Sequence, residues 1–406
     1  MTEWKLYRIK DICTYIGSGM TPKSSNPKYY ENGTHNWINT GDLNNGAVTE
    51  CKQQISDVAL NDYPTLRYYP KDTIIEAMYG ATIGKVGMLA MDAVVNQACC
   101  AMVIDKKMAM PDFVLYYLVY YKPQLIKESF GGTQPNVNQF KVSNIRIAVP
   151  PLPTQRRIVS YLDEKLSEIS RQATLLTAKR DAYLRLKKCI INRAVTRGLE
   201  PDVEMKNSGV EWIGEIPRHW EVRRLKDVAA LSKGRTPTDL TLEAVNLPYL
   251  TMDYLRGREG KETMYPTETH GLLKVDADEI LVLWDGANAG EFILSKEGYL
   301  GSTMAILSRD GRDIDKSFLF YLLKSAESDS KYFAGGTTIP HFDSVSIMTR
   351  LFALPPLPEQ RAIAAYLDDK CAKIDAIVAN LDKQIARYAD LKRSLIDEVI
   401  TGKRTV

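Results

Sequence analysis

The sequence is short of the residues that usually build metal or redox centres. Its 406 residues include six cysteines and four histidines. The cysteines, Cys13, Cys51, Cys99, Cys100, Cys189 and Cys371, form no C-x-x-C pair. A disulfide framework or a zinc site needs other spacings, so the pattern predicts reduced thiols in a cytoplasmic protein. His35, His219, His270 and His341 are scattered, without metal-ligand spacing. No apolar stretch approaches the roughly 18 residues of a membrane-spanning helix. The N-terminal residues MTEWKLYRIK lack the apolar core of a signal peptide. Excess charge is missing too: the net charge is +3, which permits nucleic-acid binding without demanding it.

What the sequence has is repetition. PPLPTQRRIVSYLDEK at 150–165 returns as PPLPEQRAIAAYLDDK at 355–370, an offset of 205. Upstream, the segment from Trp4 to Ile12 resembles that from Trp220 to Val228, offset 216. The G-x-T-P words at 19–22 and 234–237, the T-x-D words at 40–42 and 251–253, the glycine words at 80–84 and 286–290, and the G-G-T words at 131–133 and 335–337 follow in the same order. The offset shrinks stepwise between these words, as expected where a second copy has lost residues in loops. This gives five parts: a globular domain (1–149), a helix (150–200), a linker (201–219), a second globular domain (220–354) and a second helix (355–406). The linker, rich in Pro, Gly and Asn, reads as an extended connection.

Within the globular parts, DTIIEAM, KVGMLAM, CCAMVID and EILVLW read as strands. Segments 111–129 and 315–332 read as helices with acidic starts and apolar faces. After each PPLP the period changes to seven. Leu162, Ile169, Leu176, Tyr183 and Ile190 recur every seven residues, as do Leu367, Ile374, Leu381, Tyr388 and Leu395. Between them stand Leu166, Ala173, Arg180, Lys187 and Ala194, and then Cys371, Val378, Ile385, Lys392 and Val399. This is an a/d seam of about five heptads. A helix of about 40 residues spans about 60 Å, more than one domain of this size covers. The two helices are therefore expected to pair antiparallel. Arg180, Lys187 and Lys392 interrupt the apolar seam, either at its edge with buried stems or facing another subunit.

Two diverged globular domains, each followed by P-P-L-P-x-Q-R-x-I and a helix carrying Y-L-D-[ED]-K, resemble the specificity subunit of type I restriction–modification systems. The words WIGEIP at 212–217 and His219-Trp220, the G-x-T-P words and the glycine words add to the resemblance, which covers essentially the whole chain. It implies an α+β fold. Two pseudo-repeated mixed α/β target recognition domains would be joined by two long helices in an antiparallel coiled coil with pseudo-twofold symmetry. It also implies a non-catalytic, cytoplasmic, prokaryotic protein whose partners are double-stranded DNA, two modification subunits and, in the full complex, restriction subunits. S-adenosylmethionine, ATP and magnesium would sit on those partners and none on this chain. Each domain would read one half of a bipartite, asymmetric target, and the helices would set the spacing. A spacer of about 60 Å exceeds the roughly 34 Å of one DNA turn, so two domains at its ends could address successive stretches of major groove.

The rival readings are a methyltransferase or nuclease acting alone, and a structural coiled-coil adaptor. Asn26-Pro-Lys-Tyr29 is near the N-P-P-Y/F word of amino-methyltransferases, but its third residue is Lys28 and no glycine-rich cofactor loop accompanies it. It reads as a turn. The clusters Gly17/Gly19 and Gly80/Gly84/Gly87 read as tight turns that let backbone approach DNA phosphate. Asp163/Glu164 and Asp368/Asp369 read as solvated carboxylates at helix starts. Base edges and phosphates are read by polar, basic and backbone groups on loops. The candidates for DNA contact are Thr21, Lys23, Ser24, Tyr79, Thr82, Gln134, Asn136 and Asn138 in the first domain. In the second they are Arg235, Thr236, Tyr254, Arg256, Asn288, Thr338 and His341.

Overall fold

The computed structural model describes residues 4–129, 137–257, 260–309, 313–332 and 341–406. Gln134, Asn136 and Thr338 lie outside them. The chain divides into two compact units, residues 1–176 with 383–406, and residues 177–382. The fold is α+β, and the main-sheet strands and the helices that follow them recur in the same order in both halves of the chain.

In the first unit, five strands lie in the order Cys13–Ser18, Cys99–Ile104, Ile74–Ala77, Val86–Leu89, Ala47–Val48. The apolar runs read as strands are central here and buried on both faces, which is why they show little alternation. Ile74, Val86, Cys100 and Met102 face one core with Phe113, Val114, Leu118 and Leu125 of the helix Pro111–Lys127. Ile75, Ala77, Leu89, Cys99 and Ala101 face a second core with Ile38 and Val95. In the second unit, four strands lie in the order Ala229–Lys233, Met304–Arg309, Ile280–Leu283, Phe292–Leu294, and the helix Lys316–Tyr332 covers them through Phe318, Leu319, Leu322 and Leu323. A two-stranded pair closes each domain, Lys5–Arg8 with Arg146–Val149 and Glu221–Arg224 with Leu351–Leu354.

The long helices run Leu152–Arg197 and Leu357–Ile400. Both start earlier than the proline pattern suggests: Pro153 and Pro358 lie in the first turn, where a missing N–H costs no hydrogen bond. The second residue after each, glutamine, is the structural key. Gln155 is 0% exposed; its Oε1 accepts from the Met110 N–H (2.8 Å) and its Nε2 donates to the carbonyls of Pro150 (2.8 Å) and Met108 (3.2 Å). Gln360 repeats this with the Asp315 N–H (2.8 Å) and the carbonyls of Pro355 and Asp313 (2.9 Å each). One amide thereby ties the helix start to the loop that begins the domain helix. Three turns further on, the Tyr116 hydroxyl donates to Asp163 (2.5 Å) and the Tyr321 hydroxyl to Asp368 (2.7 Å). Those two aspartates are thus not helix-start carboxylates. They stand eleven residues inside their helices and tether the domain helix.

Each unit contains the first part of one long helix and the last part of the other. In the first unit Ile158, Val159, Leu162 and Ile169 share a core with Leu395, Ile396, Val399 and Ile400. In the second, Ile191, Ala194 and Val195 share one with Ile363, Ala364, Leu367 and Cys371. The a/d positions of both helices are buried or half-buried throughout. The seam cations of the second unit reach across the helix pair: Lys187 Nζ lies 2.7 Å from Asp375 and Arg180 Nη1 3.4 Å from Asp382. Each pair is one heptad from the other and the numbers run in opposite directions, so the helix segments are antiparallel. The helices end alike. Gly198 and Gly402 both have φ +73°, and a Cβ on either would come within 3.2 Å of a tryptophan, Trp220 or Trp4 respectively. Glycine is needed there both for the left-handed turn and for the indole.

The segment 201–219 differs from its reading as an extended connection. Met205–Asn207 pairs antiparallel with Glu215–Pro217, and Ile213, Ile216 and the following Trp220 are buried in the core of the second unit. Ile213 and Ile216, with the half-buried Val210 and Trp212 packed against the same core, outweigh its Pro and Gly content.

Replacing Gln155 by leucine strands one N–H and two carbonyls, at a cost of about 2–4 kcal/mol. A chemical denaturation curve should show the first unit unfolding earlier, while Arg156→Ala, at an exposed neighbour, should move it by about 0.5 kcal/mol or less.

Candidate nucleic-acid interface

The register of the sheets decides which loops share an end. In the first unit Ser18, the last residue of its strand, pairs with Cys100, and Ala77, the last of its own, pairs with Cys99. Residues following Ser18 and residues following Ala77 therefore leave the sheet at the same end. The first group holds Thr21, Lys23 and Ser24; the second holds Tyr79 and Thr82. The Val137 N–H donates to the Met78 carbonyl (2.9 Å), which brings Asn138 to that end as well. Asn138 caps the short helix Gln139–Ser143 by accepting from the Lys141 N–H (2.8 Å).

The second unit repeats the arrangement. Lys233 pairs with Ala305 and Leu283 with Met304, so Arg235 and Thr236 emerge beside the glycine word carrying Asn288. The Phe342 N–H donates to the Trp284 carbonyl (2.8 Å), the counterpart of Val137 on Met78, and places His341 there. His341 Nδ1 is 2.6 Å from Asp285 Oδ1, and Lys233 Nζ is 3.6 Å from Asp285 and 4.9 Å from the Trp284 ring centre. The Thr236 hydroxyl donates to Ser302 (2.8 Å). Arg256 pairs with Glu291, whose carbonyl accepts from Leu283 (2.9 Å), so Arg256 also belongs to this end. Two residues before it, Tyr254 lies on the same helical turn, with Lys296 Nζ 4.9 Å from its ring centre.

The glycines divide into two kinds. Gly80 and Gly84 (both φ +69°), like Gly286 and Gly290 (φ +108° and +86°), are turn glycines. Gly17 and Gly87 are not; they lie inside strands, where a Cβ would run into Tyr15 and Tyr69 or into Val48. Gly19 and Gly234, the first residues of the G-x-T-P words, press against their own chain. A Cβ at Gly19 would overlap the Val95 carbonyl, and one at Gly234 the Gly301 carbonyl at 2.3 Å. Their smallness lets the loop pass close to the end of the strand Val94–Val95 in the first unit and of Gly298–Leu300 in the second. Asn26 of the Asn26-Pro-Lys-Tyr29 word accepts from the Lys28 N–H (3.3 Å) and caps a single turn.

Sequence reasoning did not single out Lys233, Trp284 and Asp285, which look like strand continuation in the chain. It also missed two apolar side chains near these loops, Phe140 and Val345. The signal that finds them is the offset of 205 applied position by position.

Beneath the first glycine word lies Glu76, 1% exposed, with Oε2 lacking any hydrogen-bond partner. It sits on the helix-facing side of its strand. Burial pushes its carboxyl up to about 8, opposed by the nearby Lys122. Lys122 itself is shifted down by burial and by Lys85. Among the described residues no group of three or more His, Cys, Asp or Glu side chains is placed to hold a metal ion, and no helix is long and apolar enough to cross a membrane.

The family model described as the type I restriction modification DNA specificity domain matches residues 1–176 and 217–387. The type I restriction enzyme MjaVIII specificity subunit of Methanocaldococcus jannaschii is 36% identical over 188 residues, covering 46% of this chain and 43% of that protein. That alignment spans less than half of the relative. The putative type I restriction enzyme MjaX specificity subunit of the same organism is 24% identical over 429 residues, covering 99% of this chain and 93% of its own. A solved structure from a study of complex assembly and conformational transition of the type I restriction–modification system shares the fold. Its TM-score is 0.71 at 17% identity, over 98% of this chain and 97% of that one.

Glu76 yields a pH prediction. With a folded-state pKa of about 8 against an ordinary 4.5, the folded chain holds a proton that the unfolded chain releases. Stability therefore falls as pH rises through that window, by an amount on the order of a few kcal/mol. Glu76→Gln should remove this slope, measured as denaturation midpoints at pH 5 and pH 8. The second copy already carries an apolar residue, Val282, at the matching strand position.

Proposed function

The chain belongs to the type I restriction–modification DNA specificity family, and from that premise we propose that it is the non-catalytic DNA-reading subunit of such an enzyme. Each globular domain, with bounds near 1–149 and 220–354, reads one half of a bipartite, asymmetric target. The long helices hold the two readers at a fixed separation and dock two modification subunits. Methyl transfer and ATP-driven restriction take place on the partner subunits, which carry S-adenosylmethionine, ATP and magnesium, in the cytoplasm of a prokaryote.

One observation carries this reading. The two units keep the same frame but not the same loops. The buried glutamines and the tyrosine–aspartate tethers recur at the offset of 205, and the tryptophan-covered helix ends recur as well. The side chains at the shared sheet end do not: Met78 and Tyr79 answer to Trp284 and Asp285, and Asn138 to Asp343. A constant frame suits partners present in two identical copies, and variable loops suit two half-sites of different sequence. The candidate contacts are Thr21, Lys23, Ser24, Tyr79, Thr82 and Asn138, with Arg235, Thr236, Tyr254, Arg256, Asn288 and His341. A net charge of +3 is small against the phosphate neutralisation that tight DNA binding needs, so strong binding belongs to the assembled complex.

Exchanging residues 4–149 for the corresponding domain of another specificity subunit should change one half-site and leave the other intact; a change in both would remove independent reading from the account. Inserting four residues at matching points of both long helices adds about 6 Å. The gap between half-sites, read from methylated DNA, should then grow by one or two base pairs.

A further inference from the structure

The two most exposed large apolar side chains of the described residues are Phe140, 75% exposed, and Val345, 72%. Single exposed apolar residues are ordinary on protein surfaces, but these two occupy the same place in the repeat. They are 205 residues apart, the offset of the helices. Each is the second residue of a short helix, Gln139–Ser143 or Ser344–Thr349. Each helix is capped by the side chain before it: Asn138 accepts from Lys141 (2.8 Å) and Asp343 from Ser346 (3.0 Å). Each is pinned to its sheet by the same backbone bond, Val137 to Met78 and Phe342 to Trp284. Phe140 also rims a cavity of about 360 Å³ with Tyr121, Glu128 and Asn138. The frame is therefore specified in detail, and what it presents to solvent is an apolar group.

A partner that covers that group in both units accounts for its repetition, and the proposed complex offers two occupants that come in pairs: modification subunits and DNA half-sites. Two identical subunits would meet identical side chains. Here one unit offers phenylalanine and the other valine, and the flanking Asn138 and Lys141 become Asp343 and Ser346. That divergence fits two different half-sites. The apolar group that the major groove displays is the thymine methyl. We infer that Phe140 and Val345 are base-reading contacts, each packing on a thymine methyl in the half-site of its own unit; this rests on the DNA-reading role proposed above.

The test uses the full-length chain assembled with its modification subunits and a DNA library randomised across both half-sites. Phe140→Ser should lower the preference for thymine at one position of one half-site about tenfold and leave the other half-site unchanged. Val345→Ser should do the converse, and Phe140→Leu should retain most of the preference. Replacing that thymine by uracil, which deletes only the methyl, should weaken methylation by the wild-type complex and have no further effect on Phe140→Ser. Unaltered melting temperatures are expected for side chains this exposed. Base preferences that stay unchanged in both serine variants overturn the inference, as does loss of modification-subunit binding in their place. If exchange of residues 4–149 shifts a half-site while Phe140→Ser does not, this inference alone falls. If neither does, the DNA-reading role falls with it.

Discussion

The fold turns on one buried side-chain amide used twice. A long helix emerging from a globular domain has no reason to leave at a fixed angle unless its first turn is fastened. Gln155 and Gln360 fasten it with three hydrogen bonds each, one to the residue that starts the domain helix and two to carbonyls on either side. Glutamine suits this position because its amide both donates and accepts; glutamate in the same place could only accept. The neighbouring prolines keep the preceding chain extended and leave the carbonyls of Pro150 and Pro355 free to receive the amide. With the helix fixed, Tyr116 and Tyr321 find Asp163 and Asp368 three turns on, and the a/d residues fall on the side where the other helix packs.

This is why the frame was legible in the sequence. The P-P-L-P-x-Q-R word, the Y-L-D word and the heptads are short, local and periodic, and their spacing is dictated by helix geometry. The central strands were legible for a similar reason: burial on both faces leaves continuous apolar runs. Other features depend on contacts far apart in the chain. No periodicity reveals that the segment 201–219 folds as a hairpin beneath Trp220, because only a few of its residues are apolar. Asp163 reads as a helix-start carboxylate in the sequence, whereas the helix starts at Leu152 and places it three turns inside. Gly17 and Gly87 looked like turn glycines, yet they relieve crowding within strands, and only the neighbouring Tyr69 or Val48 explains them. The candidate site was half legible. The sheet register gathers most of the proposed loop residues and adds Lys233, Trp284 and Asp285.

Where the copies differ, the differences are chemical and not random. Lys187 and Arg180 have acids opposite them on the second long helix, whereas the positions matching Asp375 and Asp382 are Ser170 and Thr177 on the first long helix. Glu76 is buried where its counterpart is Val282. Each such change is tolerated because the glutamine clamp and the helix seam set the geometry without it. A frame that robust is what lets the surface at the sheet end drift, and on the reading proposed here that drift is the function.

On the function proposed above, two units of one chain read two different stretches of DNA at a fixed separation. Sequencing methylated bases across the genome of the source organism, with the gene intact and deleted, tests it most directly. The account predicts a methylated motif made of two unlike half-sites separated by a gap of constant length, present with the gene and absent without it. An unchanged methylome, or a lost motif that is continuous or palindromic, would contradict it.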